Sequence, residues 1–61
     1  MALPKDPFML LSYVNTQLRD NFPSLEELAA TLGVSADDIA NSLDGAGFVY
    51  DRDLNRFVSK Q

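Results

Sequence analysis

Apolar residues recur at helical spacing in the first third of the chain. Between positions 7 and 20 they fall on one broad face when successive residues are placed about 100° apart, with polar side chains opposite. Asp6 followed by Pro7 is typical of a helix start, because the carboxylate accepts from free amides and proline loses no hydrogen bond there. The pattern predicts a helix over 7–20. Its inner face consists of Phe8, Leu10, Leu11, Val14, Leu18 and, past its end, Phe22.

Two shorter segments then repeat one local pattern. Ser24 with Glu27 has the spacing of a capping box, in which each residue satisfies an amide of the other's turn. Ser35 with Asp38 repeats that spacing with a shorter acidic side chain. Gly33 lies between the two segments, where a left-handed residue ends a helix. We therefore predict a helix-turn-helix made of helices over 25–32 and 36–44.

Aromatic and β-branched residues form two runs near the C-terminus, at 48–50 and 56–58. Turn-forming aspartate and asparagine separate them, so we predict a hairpin over about 48–58. Two strands alone are marginally stable and must pack on the helices. Lys60 and Gln61 are expected to fray.

These elements define the predicted fold class: mainly α (α+β), with a three-helix helix-turn-helix core and a C-terminal β-hairpin, winged-helix-like. The chain has 61 residues and is expected to form a single domain over 1–61. A domain of this size buries only about 60% of the surface that its unfolded chain exposes, so association with a partner would add stability.

Composition restricts the classes of function. The chain contains no cysteine and no histidine, which excludes disulfides and removes the commonest general base and metal ligand. Ser24 and Ser35 lie at helix caps, and no base accompanies them. We predict that the protein is not an enzyme and has no cofactor, no metal and no small-molecule substrate.

The turn of the hairpin contains one pattern that resembles a metal site. Asp51, Asp53 and Asn55 have the spacing with which a calcium-binding loop begins. Arg56 stands where such a loop needs glycine, and turn-forming residues explain the cluster without a metal. We predict no metal ion here.

Net charge and hydropathy point away from nucleic acids and membranes. The net charge is −4, which repels phosphate backbones and anionic lipids. The richest apolar segment, 8–18, is too short and too polar to span a bilayer. The N-terminus has no signal-peptide pattern. We expect a soluble cytoplasmic protein that contacts proteins and no membrane.

Helix one carries a candidate partner contact beside its inner face. Met9, Tyr13 and Gln17 lie on the flank between the apolar and polar sides. Rim packing within the domain is the alternative interpretation. If another chain covers this flank, the partner is either an unknown protein or a second copy in a homodimer.

Two further sets of residues, one mainly acidic and one basic, are candidate contact sites. Asp37, Asn41 and Asp44 form the outer stripe of helix three and make an acidic face suited to a basic partner. Carboxylates on that helix repel phosphates, so groove insertion is disfavoured. DNA contact, if any, would use the hairpin wing and tail. The candidate nucleic-acid contacts are Arg52, Arg56 and Lys60.

Two stretches carry a resemblance to a known family. The opening LPKDPFMLLSYVNTQLRD and the closing GFVYDRDLNRFV resemble a family of small bacterial proteins known as a domain of unknown function. The resemblance covers nearly the whole chain, and LSYVNTQLRD is its most distinctive part. It implies a bacterial origin and no particular activity.

Two hypotheses of function follow. The first is a non-catalytic protein-interaction module on a helix-turn-helix scaffold. The alternative is a small DNA-binding transcriptional regulator that contacts DNA mainly through the hairpin wing.

Overall fold

The computed structural model describes residues 3–60, which form three helices followed by a two-stranded antiparallel hairpin. The elements are α1 (Pro7–Asp20), α2 (Leu25–Leu32), α3 (Ala36–Asp44), β1 (Phe48–Asp51) and β2 (Arg56–Ser59). The predicted α+β fold class is confirmed, and the order of elements is winged-helix-like. The hairpin ends at Ser59, one residue later than the pattern of the second run predicts.

The first two helices begin at the capping residues that the sequence indicates. The Asp6 carboxylate accepts a hydrogen bond from the amide of Phe8 at 2.9 Å. The Ser24 hydroxyl accepts one from the amide of Glu27 at 3.2 Å. Each bond satisfies an amide that has no partner inside its helix, so the start of each helix is fixed locally.

The turn before α3 differs in one detail from the expected capping box. The Ser35 hydroxyl accepts from the amide of Asp37 at 3.1 Å, and Asp38 is not its partner. The prediction of a Ser35–Asp38 box was wrong, because the serine caps the second residue of the helix rather than the third. Gly33 does end α2 in the left-handed region, with φ +72°.

The core lies between α1, the helix-turn-helix and the inner side of the hairpin. Its buried residues come from all of these elements and are all apolar. They are Leu10, Val14, Leu18, Leu25, Leu28, Ala29, Ile39, Leu43 and Phe57. Within residues 3–60 no polar or charged side chain is buried, so stability rests on apolar burial and on bonds at the margin of the core.

Phe8 does not belong to this core, contrary to its assignment to the inner face of helix one. Its side chain is 65% exposed, and its ring meets the ring of Phe48 edge-on, with centroids 6.2 Å apart. Phe8 lies about 120° around the helix from Val14, the centre of the buried stripe. The Phe48 ring covers one edge of it, and most of the Phe8 ring faces solvent.

The side chain of Asn15 in α1 forms hydrogen bonds with the hairpin. Its Nδ2 donates to the carbonyl of Phe57 at 3.1 Å, and its Oδ1 accepts from the amide of Phe57 at 2.7 Å. The Phe57 ring is buried in the core. One side chain therefore satisfies both backbone groups of the residue that anchors β2.

A second connection joins the hairpin turn to the α1–α2 junction. The side-chain Nδ2 of Asn55 donates to the backbone carbonyls of Leu18 and Phe22 at 3.1 and 3.0 Å. The Tyr50 hydroxyl donates to Asn55 Oδ1 at 2.6 Å and accepts from the amide of Leu25 at 3.3 Å. Asn55 has φ +53°, a left-handed conformation that asparagine tolerates better than most residues. Side-chain hydrogen bonds therefore fix the turn, since the two strands that flank it are short.

Lys60 is held in place, so the prediction that it frays was wrong. Its amide donates to the carbonyl of Gly47 at 3.0 Å. Its ammonium lies 2.7 Å from the carboxylate of Asp44 at the end of α3. The backbone bond continues the pairing of the two strands beyond Ser59, and the ion pair joins the end of the hairpin to α3. The expected fraying of Gln61 lies outside the described residues.

Candidate functional site

The predicted partner contact on α1 is partly exposed and partly built into the domain. Met9 is 62% exposed. Tyr13 is half-buried and packs against the core. Gln17 is also half-buried, and its Oε1 accepts from the Asn21 side chain at 2.9 Å. Met9 is the member of this group that is free for a partner to cover.

Phe8, next to Met9, adds to the apolar surface at this end of α1. The two side chains are the most exposed large apolar groups among residues 3–60. Phe8 leans toward Phe48 of the hairpin, whereas Met9 lies one position further around the helix, toward Tyr13. The first turn of α1 therefore presents apolar surface on two adjoining sides. We call Phe8 and Met9 the α1 apolar pair.

The outer stripe of α3 is exposed, as its polar residues predict. The side chains of Asp37 and Asn41 face solvent, while Asp44 forms the ion pair with Lys60. That pair joins a candidate from the acidic face to one from the nucleic-acid group. The two predicted sites therefore meet at the C-terminal end of α3 through this one pair.

Arg52 in the hairpin turn forms a two-pronged ion pair with Glu26 of α2. Its Nη2 lies 2.8 Å from Glu26 Oε2 and its Nη1 lies 3.2 Å from Oε1. Its guanidinium also lies over the Tyr50 ring, 5.6 Å from the centroid. The hydrogen bonds from Arg52 lower the pKa of Glu26, and those to Glu26 raise the pKa of Arg52. This cation is already engaged within the domain.

Arg56 differs from the other two members of the nucleic-acid group because no carboxylate of the described residues is paired with it. Within residues 3–60 it forms no ion pair. It lines a groove of about 560 Å³ between α1 and the hairpin turn, together with Arg19 and Leu54. Arg19 is paired with Asp20 at 2.9 Å, and this contact raises the pKa of Arg19 and lowers that of Asp20. One unpaired arginine offers a small footprint for a phosphate backbone.

A second groove, of about 520 Å³, lies between the start of α1 and α3. We call it the α1–α3 groove. Its lining is mostly apolar and includes three polar residues. The apolar lining is Leu3, Pro4, Pro7, Leu10, Val34 and Ile39, and the polar lining is Lys5, Asp38 and Ser42. The sequence patterns did not indicate this groove, because it forms where the segment before α1 meets the turn after α2.

Charge is distributed unevenly along the chain. Residues 21–50 contain no lysine or arginine. The same stretch carries five carboxylates, all exposed: Glu26, Glu27, Asp37, Asp38 and Asp44. The helix-turn-helix surface is therefore acidic, apart from the two places where Arg52 and Lys60 reach it.

The hairpin turn uses its aspartates for backbone bonds. One oxygen of Asp51 accepts from the amides of Asp53 and Leu54 at 2.9 and 3.1 Å. This is the arrangement of a turn closed by an aspartate side chain. Over the described part of the chain no group of three or more acidic side chains is placed to hold a metal ion.

The residues that reasoning from sequence missed are Asn15, Tyr50 and Asn55. In the sequence pattern, Asn15 and Asn55 are ordinary polar positions and Tyr50 is an ordinary strand residue. Each bonds to a partner at least five positions away, and most bonds span 25 to 42 positions. The spacing of Asn15 four residues after Leu11, on the margin of the apolar face, was the one signal that it faces another element.

The arrangement defines the class of molecule as a small α+β domain with three helices, a hairpin and no buried polar side chain among residues 3–60. A family profile described as a domain of unknown function, DUF4250, matches residues 4–57. The chain therefore belongs to the DUF4250 family, as its opening and closing stretches indicate. No curated protein and no solved structure matches it. None of the helices within residues 3–60 combines the length and apolar character needed to cross a bilayer.

Proposed function

We propose that this protein is a non-catalytic interaction module that binds another protein through the first turn of α1. The observation that carries the proposal is the exposure of the α1 apolar pair, Phe8 at 65% and Met9 at 62%. Two consecutive large apolar side chains left in water are unfavourable in a domain with so small a core. A partner that covers them gains about 1.5 to 3 kcal/mol of apolar burial for each side chain.

The surroundings of the pair support contact with a protein surface. Tyr13 lies one turn beyond Met9 and presents a half-buried ring beside it. Aromatic and methionine side chains are enriched in the cores of protein interfaces. The partner is either an unknown protein or a second copy of this chain. A cytoplasmic location is part of the same proposal.

The absence of histidine and cysteine supports a role without catalysis. Ser24 and Ser35 use their hydroxyls as helix caps, and no histidine is present in the sequence to activate them as nucleophiles. The carboxylates of the helix-turn-helix are exposed to water and do not line a closed pocket.

Capture from a lysate of the source organism tests the proposal. We expect a protein retained by the native chain to be lost with Met9→Lys, because the substitution places a charge in the apolar contact. Thr16→Lys is the matched control: Thr16 is exposed on the same helix and lies about two turns from the apolar pair. Equal retention by both variants would contradict the proposal.

The homodimer is tested on the purified protein. Sedimentation should show a dimer for the native chain and a monomer for Tyr13→Glu if a second copy is the partner. Monomers in both cases would assign the surface to a different protein.

A DNA-binding regulator is the second candidate, favoured by the winged-helix-like order of elements and the exposed Arg56. The acidic α3 and the engagement of Arg52 and Lys60 with Glu26 and Asp44 weigh against it. Titration of labelled generic DNA at about 50 mM salt decides, because nonspecific binding is strong at low salt. Binding that Arg56→Ala weakens would support DNA contact through the wing. Absence of binding would eliminate this candidate.

A further inference from the structure

The hydrogen bonds of the hairpin determine which backbone groups of β1 point away from β2. The amide of Lys60 donates to the carbonyl of Gly47, just outside the paired strands. Along an antiparallel pair of strands, residues that bond to the partner alternate with residues whose amide and carbonyl point outward. Counting along β1 from Gly47, the outward residues are Phe48 and Tyr50.

The outward side of β1 is open. On β2 the residue opposite Tyr50 is Phe57, and its outward amide and carbonyl are both bonded to Asn15, which agrees with the alternation. Within residues 3–60 the outward amides and carbonyls of Phe48 and Tyr50 have no such partner. Backbone groups without a partner are rarely buried, so this side of β1 faces water.

The strand β1 lacks the usual features that keep a second strand away. Proteins protect such strands with lysine, proline or a bulge. The sequence of β1, FVYD, has no lysine or proline, and its register with β2 is unbroken. Its aromatic and β-branched residues favour strand pairing. At its two ends Arg52 pairs with Glu26 and Lys60 pairs with Asp44, so the net charge of the chain causes little repulsion here.

We infer that β1 pairs antiparallel with β1 of a second copy, about a two-fold axis at Val49. Phe48 then lies opposite Tyr50 of the second copy, and each such pair exchanges two backbone hydrogen bonds. Val49, which is 39% exposed, meets its own counterpart. Asp51 lies opposite Gly47 of the second copy, so no two carboxylates face each other. The strand is therefore self-complementary in its bonds, its apolar contact and its charge.

This contact goes beyond the proposed function, because it uses backbone groups of β1 and does not require the α1 apolar pair. It names a second copy as the occupant of β1, whereas the partner of the α1 apolar pair is either a different protein or a second copy. The two surfaces are therefore tested with different variants.

Sedimentation equilibrium of the full chain measures the association. We expect a dimer, with a dissociation constant that rises by about tenfold for Val49→Lys, because two lysines would then lie opposite each other. Val34→Lys is the control, since Val34 has nearly the same exposure, 38%, and lies between α2 and α3. A monomeric native chain, or equal weakening by both variants, would overturn the inference. Far-ultraviolet circular dichroism confirms that each variant keeps the fold.

An equimolar mixture of Val49→Lys and Val49→Glu tests the position of the axis. If residue 49 meets its counterpart, opposite charges lie across the axis in the mixed dimer and like charges do so in each variant alone. The mixture should therefore associate more tightly than either variant. A mixture that associates no more tightly than the separate proteins would overturn the assigned register.

A single cysteine provides a covalent test, because the native chain has none. Val49→Cys should form a disulfide-linked dimer under mild oxidation, since opposed residues of this kind have α-carbons about 4.5 Å apart, within disulfide range. Val58→Cys is the control: Val58 lies opposite Val49 on β2, so its two copies would be three strand spacings apart, roughly 14 Å. Equal yields of linked dimer from the two variants would contradict the inference.

The variants also separate this inference from the proposed function. A dimer that Tyr13→Glu dissociates and Val49→Lys leaves intact would assign self-association to α1 and overturn the pairing of β1. The lysate experiment with Met9→Lys changes α1 and leaves β1 unaltered, so it judges the proposed function independently.

Discussion

The side-chain amide of Asn15 bonds both backbone groups of Phe57, 42 positions away, with distances of 3.1 and 2.7 Å. The bonds are partly buried, and Phe57 itself is 3% exposed. A side chain of helix α1 thus takes the position that a neighbouring strand would occupy beside β2. This one residue satisfies the outward-facing backbone groups of Phe57 and so joins the middle of β2 to α1.

Replacing Asn15 should destabilise the domain more than is usual for a half-buried residue. We expect Asn15→Ala to lower the free energy of unfolding by about 2 kcal/mol, because the amide and carbonyl of Phe57 lose their partner. Urea unfolding followed by circular dichroism measures the loss. Thr16→Ala, one residue along on the exposed side, should change stability by less than about 0.5 kcal/mol. Similar losses in both variants would mean that the Asn15 bonds contribute little.

Asn55 combines a conformational role with a bonding role, and two substitutions separate them. Asn55→Gly keeps the left-handed backbone and loses the bonds to Leu18, Phe22 and Tyr50. We expect it to lower the free energy of unfolding by about 2 kcal/mol. Asn55→Ala should cost about 1 kcal/mol more, because a β-carbon is unfavourable at φ +53°. Thermal unfolding of the two proteins gives the difference, and an alanine variant as stable as the glycine one would refute the conformational part.

The ion pair between Glu26 and Arg52 makes a small part of the stability depend on pH. Hydrogen bonds from Arg52 lower the pKa of Glu26 below its ordinary value of 4.5. The contribution of the pair is therefore complete above that value and is lost as the pH falls through the lower pKa of the folded state. We expect the native chain to unfold at a slightly higher urea concentration than Glu26→Gln near neutral pH.

That difference between the native chain and Glu26→Gln should close in acid. Both residues are exposed, so the effect is small and decreases with added salt. Glu27→Gln provides the control, since Glu27 lies beside Glu26 and forms no ion pair within residues 3–60. A gap between native and Glu26→Gln that widens in acid would reverse the assigned sign.

Two glycines should respond to alanine in opposite directions. Gly33 has φ +72° and open space around the position of a β-carbon, so Gly33→Ala pays only the backbone penalty, about 1 kcal/mol. Gly45 is right-handed, and a β-carbon there would lie at an ordinary 3.6 Å from the carbonyl of Ser42. Gly45→Ala should stabilise the folded protein by about 0.4 to 1 kcal/mol, because alanine reduces the conformational entropy of the unfolded chain. Calorimetric midpoints below and above the native value, respectively, are the expected result.

Local signals predicted much of the fold. The caps Asp6 and Ser24 and the helix-ending Gly33 act on residues within a few positions of themselves, so their effect can be read from spacing alone. The two strands follow from composition in the same way. The hydroxyl of Ser35 can accept a hydrogen bond from either of two nearby backbone amides, and the prediction named the wrong one.

Contacts between distant segments escaped prediction. Nothing near Asn15 or Asn55 in the sequence specifies that a helix and a hairpin turn will meet there. Phe8 satisfied the apolar pattern but lies at its margin, where the neighbouring element decides how much is covered. The α1–α3 groove depends on how Val34 and Pro7 approach each other, and this too is a tertiary property.

The position of Asn15 also affects how copies of the protein can meet. The outer edge of a strand normally offers unpaired amides and carbonyls to the strands of other molecules, and this is a route to aggregation. At Phe57 the asparagine has taken both groups, so an incoming strand finds no partner at the middle of β2. The domain thereby resists growth into extended sheets from this edge.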